Sequence, residues 1–512
     1  MNFNQTLEIE LPGIEIEGMN IPIINSLSVK FMQETKFVPV RKESDFLDIA
    51  VASPLDFYSI DAIALATNCK ISMYKAEEEE ILKAIEKYYL ASTSTMESIV
   101  NETEDTEGSS EDEDIDHLKD IASEAPIIRL VNLIIQKAID MKASDIHLES
   151  FEKDLKVRYR IDGILHEVEE VPKRLQAAMI SRIKIMSKLN IAERRLPQDG
   201  RIKIDFNKKG IDFRVSTIPT LYGESVVMRI LDQSSIHFDL ESFGFSKDTL
   251  KLFNRIISIP YGMILVTGPT GSGKTTTLYG VLSKINSPEK KIITIEDPIE
   301  YNLHGVNQIQ VKPSIGLTFA NGLRSIVRQD PDVILVGEIR DRETAEIAIQ
   351  SAMTGHLVFS TLHTNDAAGA ITRLEEMGME EYLISSCLVG VLAQRLVRKV
   401  CENCKEKVLL TREETMELEK GGFDLPPDTV YTGKGCEKCS YTGYSGRIGM
   451  FELLLVDKEI RNLIISKSDA SGIKRKAHED KMMKTLREDG WNKVKEGITT
   501  IPEVLRVTQE EF

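Results

Sequence analysis

Residues 263–282 read "MILVTGPTGSGKTTTLYGVL", with Gly268, four residues, then Gly273, Lys274 and Thr275. This spacing suits phosphate: glycines let backbone N–H groups curl around the oxygens, and the positive end of a following helix adds to them. An apolar run precedes the motif and a helical pattern follows, the strand–loop–helix context it requires. Gly268, Pro269, Thr270, Gly271, Ser272, Gly273, Lys274, Thr275 and Thr276 are therefore expected to bind a nucleotide. Lys274 would reach the β- and γ-phosphates, and the Thr275 hydroxyl would ligate Mg²⁺.

Acids follow where such a site needs them. In "PDVILVGEIRD" (331–341), Val333, Ile334, Leu335 and Val336 read as a buried parallel strand, with Glu338 just past its end. Ligands of open α/β sheets gather at that edge, so Glu338 is expected to hold the Mg²⁺ shell, through water, or to orient a water. "IITIEDPIEY" (292–301) packs Glu296, Asp297 and Glu300 into five positions. Either they are solvated turn residues, or they face a cation or a water that must lose a proton; spacing does not choose among them. "TGHLVFSTLHTNDA" (354–367) places His356 and His363 on either side of another apolar strand. The pair lacks the spacing of a helical metal site and reads as sensing or coupling residues.

A separate chemistry lies in "CENC" (401–404) and "CEKC" (436–439). Paired CxxC knuckles in a reducing compartment suit tetrahedral Zn²⁺ held by Cys401, Cys404, Cys436 and Cys439, and disulfides do not. Four thiolates leave no open position, so the metal would be structural, and the long intervening stretch makes a small subdomain. Cys69 and Cys387 read as ordinary buried thiols.

The elements that position these groups follow from pattern. With 512 residues and 42% apolar content, the chain has material for three or four domains with real cores. Residues 36–92 read as a small α/β unit: strands at 46–52 and 69–76, a helix at 54–67, and a helix at 77–89 with Ile81, Leu82 and Ile85 on one face. The run "NETEDTEGSSEDEDID" (101–116) carries nine acids and reads as a solvated, self-repelling linker. A second unit opens with a helix from Ser123, its cap candidate, through Pro126. The strand 155–163 alternates Leu155, Val157, Tyr159 and Ile161 with charges, and 201–219 reads as a hairpin through Lys208, Lys209 and Gly210. Beyond about 236, apolar strands alternate with helices, as in a largely parallel α/β sheet.

The net charge is −17; less the −9 of the acidic run, −8 remains on the rest. That balance, without a basic stripe, argues against a nucleic-acid groove and so against a helicase or DNA translocase. No stretch approaches the length of a membrane-spanning helix, and the acidic start "MNFNQTLEIELPG" has no secretory-signal pattern, so a cytoplasmic protein is expected.

Four stretches, "GPTGSGKTTTLY", "ITIEDPIEY", "RQDPDVILVGEIRD" and "TGHLVFSTLHTNDAAGAITRL", resemble the Walker A, Asp box, Walker B and His box of secretion ATPases, the assembly motors of type II secretion and type IV pili (the GspE/PilB family). The resemblance runs from about residue 36 to 512 and includes "ASDIHLE" (143–149) and the segment from "RLPQDGRIKIDF" to "SVVMRILD". It implies a multidomain α/β chain: a first N-terminal domain (1–95) that docks a partner, an acidic linker (96–122), a second N-terminal domain (123–235), a RecA-like ATPase domain (236–395), a zinc subdomain (396–445) and a C-terminal helical region (446–512). It further implies ATP, Mg²⁺ and Zn²⁺ as cofactors, a homohexamer, and docking on inner-membrane platform proteins. Glu300 matches the general base for the attacking water and Glu338 the Walker B acid. Glu296 and Asp297 are left as positioners of water, Mg²⁺ or an arginine. Arg201 and Arg214 match arginines of the second N-terminal domain that reach the γ-phosphate on closure, Arg324 and Arg340 are further candidates, and His356 and His363 form the His box. Assembly-type members often carry the four-cysteine insertion, and retraction motors look to lack it. The compact N-terminal region is more similar to the type II secretion ATPase, while "TLYGE" (220–224) also suits the pilus branch.

Overall fold

The computed structural model describes residues 27–508 apart from 28, 44–45, 54, 68, 86–118, 207–208, 233–237, 411, 413–414, 417–428 and 480–482. Most of the expected acidic linker and Lys208 of the expected turn lie outside the described residues. The chain divides into two compact units, 1–234 and 235–512.

The first unit begins with α1 (Val29–Thr35), β1 (Phe37–Glu43), β2 (Phe46–Val51), α2 (Phe57–Thr67), β3 (Lys70–Lys75) and α3 (Glu78–Ala84). β1 and β2 pair antiparallel, whereas β2 and β3 run parallel, which the α2 crossover makes possible. Glu78, Glu79 and Glu80 sit in the first turn of α3, where the helix dipole favours them. Ile81 and Ile85 are buried, but Leu82 is 38% exposed: one helical step rotates it off the face expected to hold all three.

Next come α4 (Ala125–Asp140), β4 (Asp145–Ser150), β5 (Asp154–Ile161), β6 (Ile164–Pro172), α5 (Gln176–Met186), β7 (Gln198–Phe206), β8 (Lys209–Thr220) and β9 (Gly223–Asp232). Ser123, expected from sequence to cap α4, does not: its hydroxyl donates to Lys119 O at 2.7 Å, and Glu124 takes the cap position without a side-chain bond. The six strands form one antiparallel sheet, ordered β6-β5-β4-β9-β8-β7. Alternate residues such as Leu155, Val157, Tyr159, Phe213 and Met228 pack with α4 and α5 into one core.

The second unit runs α6 (Lys247–Ile257), β10 (Gly262–Thr267), α7 (Lys274–Ile285), β11 (Ile292–Glu296), β12 (Asn307–Gln310), α8 (Phe319–Ile326), β13 (Val333–Val336), α9 (Arg342–Met353), β14 (Leu357–Leu362), α10 (Ala368–Glu376), α11 (Glu381–Cys387) and β15 (Leu388–Val400). A small hairpin of β16 (Lys405–Leu409) and β17 (Thr429–Gly433) precedes β18 (Tyr444–Leu455). Helices α12 (Lys458–Ile465), α13 (Ala470–Glu479), α14 (Leu486–Lys495) and α15 (Ile501–Val507) follow.

The main sheet has the order β12-β11-β13-β14-β10-β15-β18. Every pair is parallel except β15–β18. Helices cover both faces, which is why β10, β11, β13 and β14 are buried along their whole lengths. Met263, Leu265, Ile334 and Val336 face one core; Ile264, Val266, Val333 and Leu335 face the other. Because the strands are parallel, the C-terminal ends of β10, β11, β13 and β14 meet on one edge. No helix among the described residues is long and apolar enough to cross a membrane.

Candidate functional site: the phosphate loop edge and a four-cysteine cluster

The loop after β10 curls onto the start of α7. A side chain at Gly268 would place its Cβ 2.5 Å from Gln394 O and 2.7 Å from Ser272 Oγ, with φ +149°, so only glycine lets the loop close this tightly. The Lys274 ammonium turns into the curl and donates to Gly268 O at 2.7 Å and Pro269 O at 3.1 Å. Burial pushes this ammonium down to about 8, although the negative charge of Glu338 draws it back up. The Ser272 hydroxyl is buried in the same curl with no hydrogen-bond partner. Thr275 is exposed on the first turn of α7, beside half-buried Thr276. A buried cation, an unpaired hydroxyl and a curl too tight for a Cβ at Gly268 fit a phosphate group.

Glu338 lies two residues past β13. It forms an ion pair with Arg340, and its Oε2 is 3.4 Å from His363 Nε2, just past the end of β14. Burial pushes the Glu338 carboxyl up, but the hydrogen bond and charge of Arg340, with His363, outweigh it and hold the group below the usual range. The charge of exposed Asp297 also reaches Arg340 and helps keep it protonated. Lys274, Glu338, Arg340, His363 and Asp297 therefore form one charged cluster at the sheet edge.

The three acids of 292–301 have separate fates. Glu296 is the last residue of β11 and is buried. It accepts from the Tyr279 hydroxyl, from Thr294 Oγ1 at 2.5 Å and from Gln308 Nε2 at 3.1 Å. These bonds commit its oxygens inside the fold, where a positioner of water, Mg²⁺ or an arginine was expected. Asp297 does face an arginine. Glu300 is half-buried in the following loop, and its backbone N–H approaches Tyr279 Oη at 3.4 Å.

His356 is not brought to this edge. It precedes β14, at the opposite end from His363, and its Nδ1 lies 2.9 Å from Ser351 O at the end of α9. The length of β14 separates the two histidines, roughly 20 Å at a strand's rise of about 3.3 Å per residue. Arg324, on α8, is exposed and pairs with Glu343 at 2.6 Å. Arg201 and Arg214, in the first unit, stand directly opposite one another on β7 and β8, and Arg229 continues the row on β9.

Sequence reasoning missed three buried polar residues, two of which, Arg395 and Gln394, back the loop. Arg395 in β15 is buried; it donates to Asn365 O at 2.7 Å and lies against Gly268. Its neighbour Gln394 accepts from Thr277 Oγ1 at 2.8 Å. Glu452 in β18 is buried and accepts from Ala367 N at 2.8 Å, the cap residue of α10, and from Leu486 N at 3.2 Å, the first residue of α14. Burial pushes it up to about 7. The available signal was a polar residue set inside the apolar runs "VGVLAQRLV" and "GMFELLL".

Cys401, Cys404, Cys436 and Cys439 converge with all four Sγ atoms within 4.8 Å of one another. The pairs 401–436 and 404–439 are 3.9 Å apart and 436–439 is 3.7 Å. A Zn–S length of about 2.3 Å gives a tetrahedral edge of about 3.8 Å, so the donor set fits zinc, and no disulfide is formed. Asn403 Nδ2 donates to Cys436 Sγ at 3.3 Å, the kind of outer bond that orients a thiolate ligand. Cys69 and Cys387 are buried elsewhere, and burial raises the Cys387 thiol to about 12.

A parallel sheet between helices, with a phosphate loop after one strand and an acid past a neighbouring strand, defines a RecA-like P-loop ATPase. The chain belongs to the Type II/IV secretion system protein family, whose sequence profile matches residues 120–506, and an MshEN domain profile matches residues 9–95. It is 51% identical to type II secretion system protein E of Xanthomonas campestris pv. campestris, over 96% of this chain and 86% of the relative. It is 44% identical to the type IV pilus assembly ATPase PilB of Myxococcus xanthus, over 97% and 88%. The X-ray structure of the Legionella pneumophila ATPase DotB shares the fold with a TM-score of 0.55 at 20% identity, covering 73% of this chain and 94% of that one.

Proposed function

We propose that this ATPase works as a cytoplasmic homohexamer whose hydrolysis of ATP powers assembly of a pilus-like fibre for type II protein secretion, docked through residues 1–95 on inner-membrane platform proteins. The observation that carries the chemistry is the cluster in which Lys274, inside the phosphate curl, shares its surroundings with Glu338, itself tied to Arg340 and His363. Lys274 exchanges its loop carbonyls for phosphate oxygens and stays charged in doing so. Thr275 and Glu338 are the residues that would hold Mg²⁺, which when bound would supply positive charge against the charge that develops on the transferred phosphoryl group. Glu300 takes the proton of the attacking water, and the loop after β11 carries it toward the nucleotide. His363 reports the state of Glu338 to α10. Cys401, Cys404, Cys436 and Cys439 would hold a structural zinc that closes the β16–β17 subdomain.

Identity over most of both chains supports the secretion role, and the similar coverage of the pilus assembly ATPase supports fibre extension as the second reading. The test is Glu300→Gln in the full chain with MgATP. Nucleotide binding and the hexamer should persist while turnover falls at least about a hundredfold, the scale of a lost general base. Near-normal turnover sinks the assignment. Deleting the gene separates the two readings: export of secreted proteins is lost in one, surface pili in the other.

A further inference from the structure

Tyr279 lies on α7, five residues beyond Lys274, and is fully buried although it carries a hydroxyl. Its O–H is given to the Glu296 carboxylate. Its oxygen faces the loop after β11 and receives the backbone N–H of Glu300 at 3.4 Å. Burial, then the negative charge of Glu296, keeps the phenol protonated, so it donates on one side and accepts on the other.

The same carboxylate anchors the far end of the loop. Gln308 on β12 donates to Glu296 Oε1 at 3.1 Å and to Tyr301 O at 3.0 Å, and its own carbonyl accepts from Leu303 N at 2.8 Å. The Tyr279 ring is clamped by edge-on contacts with Phe238 at 5.5 Å and Tyr301 at 6.2 Å. The backbone of residues 300–303 is thus pinned from below at both ends to a single buried acid, and one of the pins is rooted in the helix that begins at the phosphate loop.

We infer that Tyr279, seated on Glu296, is a positioning residue that sets the height of Glu300 over the nucleotide and ties that height to the helix carrying Lys274. Glu296 contributes as the fixed acceptor beneath it. The inference rests on the reading of Glu300 as the base. It explains why an acid so close to the chemistry is buried and accepts from three side chains: its task is to hold a loop.

The test is a double-mutant cycle on the full chain, with steady-state and single-turnover ATP hydrolysis as readouts. Tyr279→Phe keeps the ring and removes the hydroxyl. It should lower kcat about tenfold to a hundredfold, the scale of a small misplacement of a reacting group, with KM for ATP changed less than about twofold. On a Glu300→Gln background the same change should alter the residual rate by less than about twofold, because a group acting through Glu300 has nothing left to position. Gln308→Leu should behave likewise in the cycle, and it carries the test if Tyr279→Phe does not fold. A wild-type kcat in both variants, a rise in KM without loss of kcat, or the same fold loss with and without Glu300 overturns the inference. Normal turnover in Glu300→Gln alone would instead remove the base assignment, so the two failures are told apart by that single variant.

Discussion

Glu338 Oε2 and His363 Nε2 stand 3.4 Å apart across the ends of two adjacent parallel strands, with the Arg340 guanidinium on the other side of the same carboxylate. An acid past one strand and an imidazole past the next thus join the end of β13 to the loop entering α10 through one carboxylate. The strand register imposes it: Val336 pairs with Ser360, so both chains leave the sheet at nearly the same level.

Arg340 and His363 together outweigh burial in holding Glu338 ionised, and Arg340 contributes more than His363. Removing either should raise the Glu338 carboxyl, which in its proposed role must be charged to act. The acid limb of the kcat–pH profile should therefore move to higher pH, further in Arg340→Gln than in His363→Ala. Comparing the midpoints of that limb checks the order; an unmoved limb in both variants rules out a working role for the ionised Glu338.

Lys274 rests at about 8 in the phosphate curl because burial disfavours its charge. Bound phosphate restores the charge, so its pKa rises on binding. Between about pH 8 and 10 binding should take up a proton, and affinity should weaken as pH rises through that window. Calorimetry of ADP binding in buffers of different ionisation enthalpy gives the proton count directly. Lys274→Ala should abolish both the uptake and most of the binding.

Much of this site was legible because its parts are local. The phosphate loop is one contiguous stretch, and Glu338 and His363 each sit one or two residues beyond an apolar run, so parallel strands alone bring them together. Which acid of 292–301 is buried was not legible, since it depends on β12 delivering Gln308 to Glu296, a pairing no local pattern announces. Arg395 and Glu452 were missed for the same reason: their partners Asn365, Ala367 and Leu486 lie far along the chain. The two histidines look alike as letters, but the strand between them has direction, and only its C-terminal end faces the site.

The four cysteines should bind one zinc per chain that survives gel filtration. Chelation, or Cys401→Ser with Cys436→Ser, should remove it and open the 396–445 region to protease, because a structural zinc site supplies folding energy outright. Metal analysis with limited proteolysis decides: an unchanged digestion pattern without metal rejects a structural zinc.

Glu452 gives a prediction about stability. It is buried, and although two backbone N–H groups and Lys474 favour its charged form, burial and Asp366 raise it to about 7. An ordinary glutamate titrates near 4.3, so between about pH 4.3 and 7 the folded chain holds a proton that the unfolded chain has released. That contribution is fully present below about pH 4.3 and is lost as pH rises through 7. Glu452→Gln is neutral at every pH and lacks this dependence. The difference in Tm, wild type minus Glu452→Gln, should therefore fall as pH rises from about 5.5 to 8. Both chains share every other titrating group, including Asp366, Lys474 and Arg395 nearby, so the difference isolates this one. A difference that grows with pH would mean that the N–H groups of Ala367 and Leu486 hold the charged form more strongly than burial opposes it.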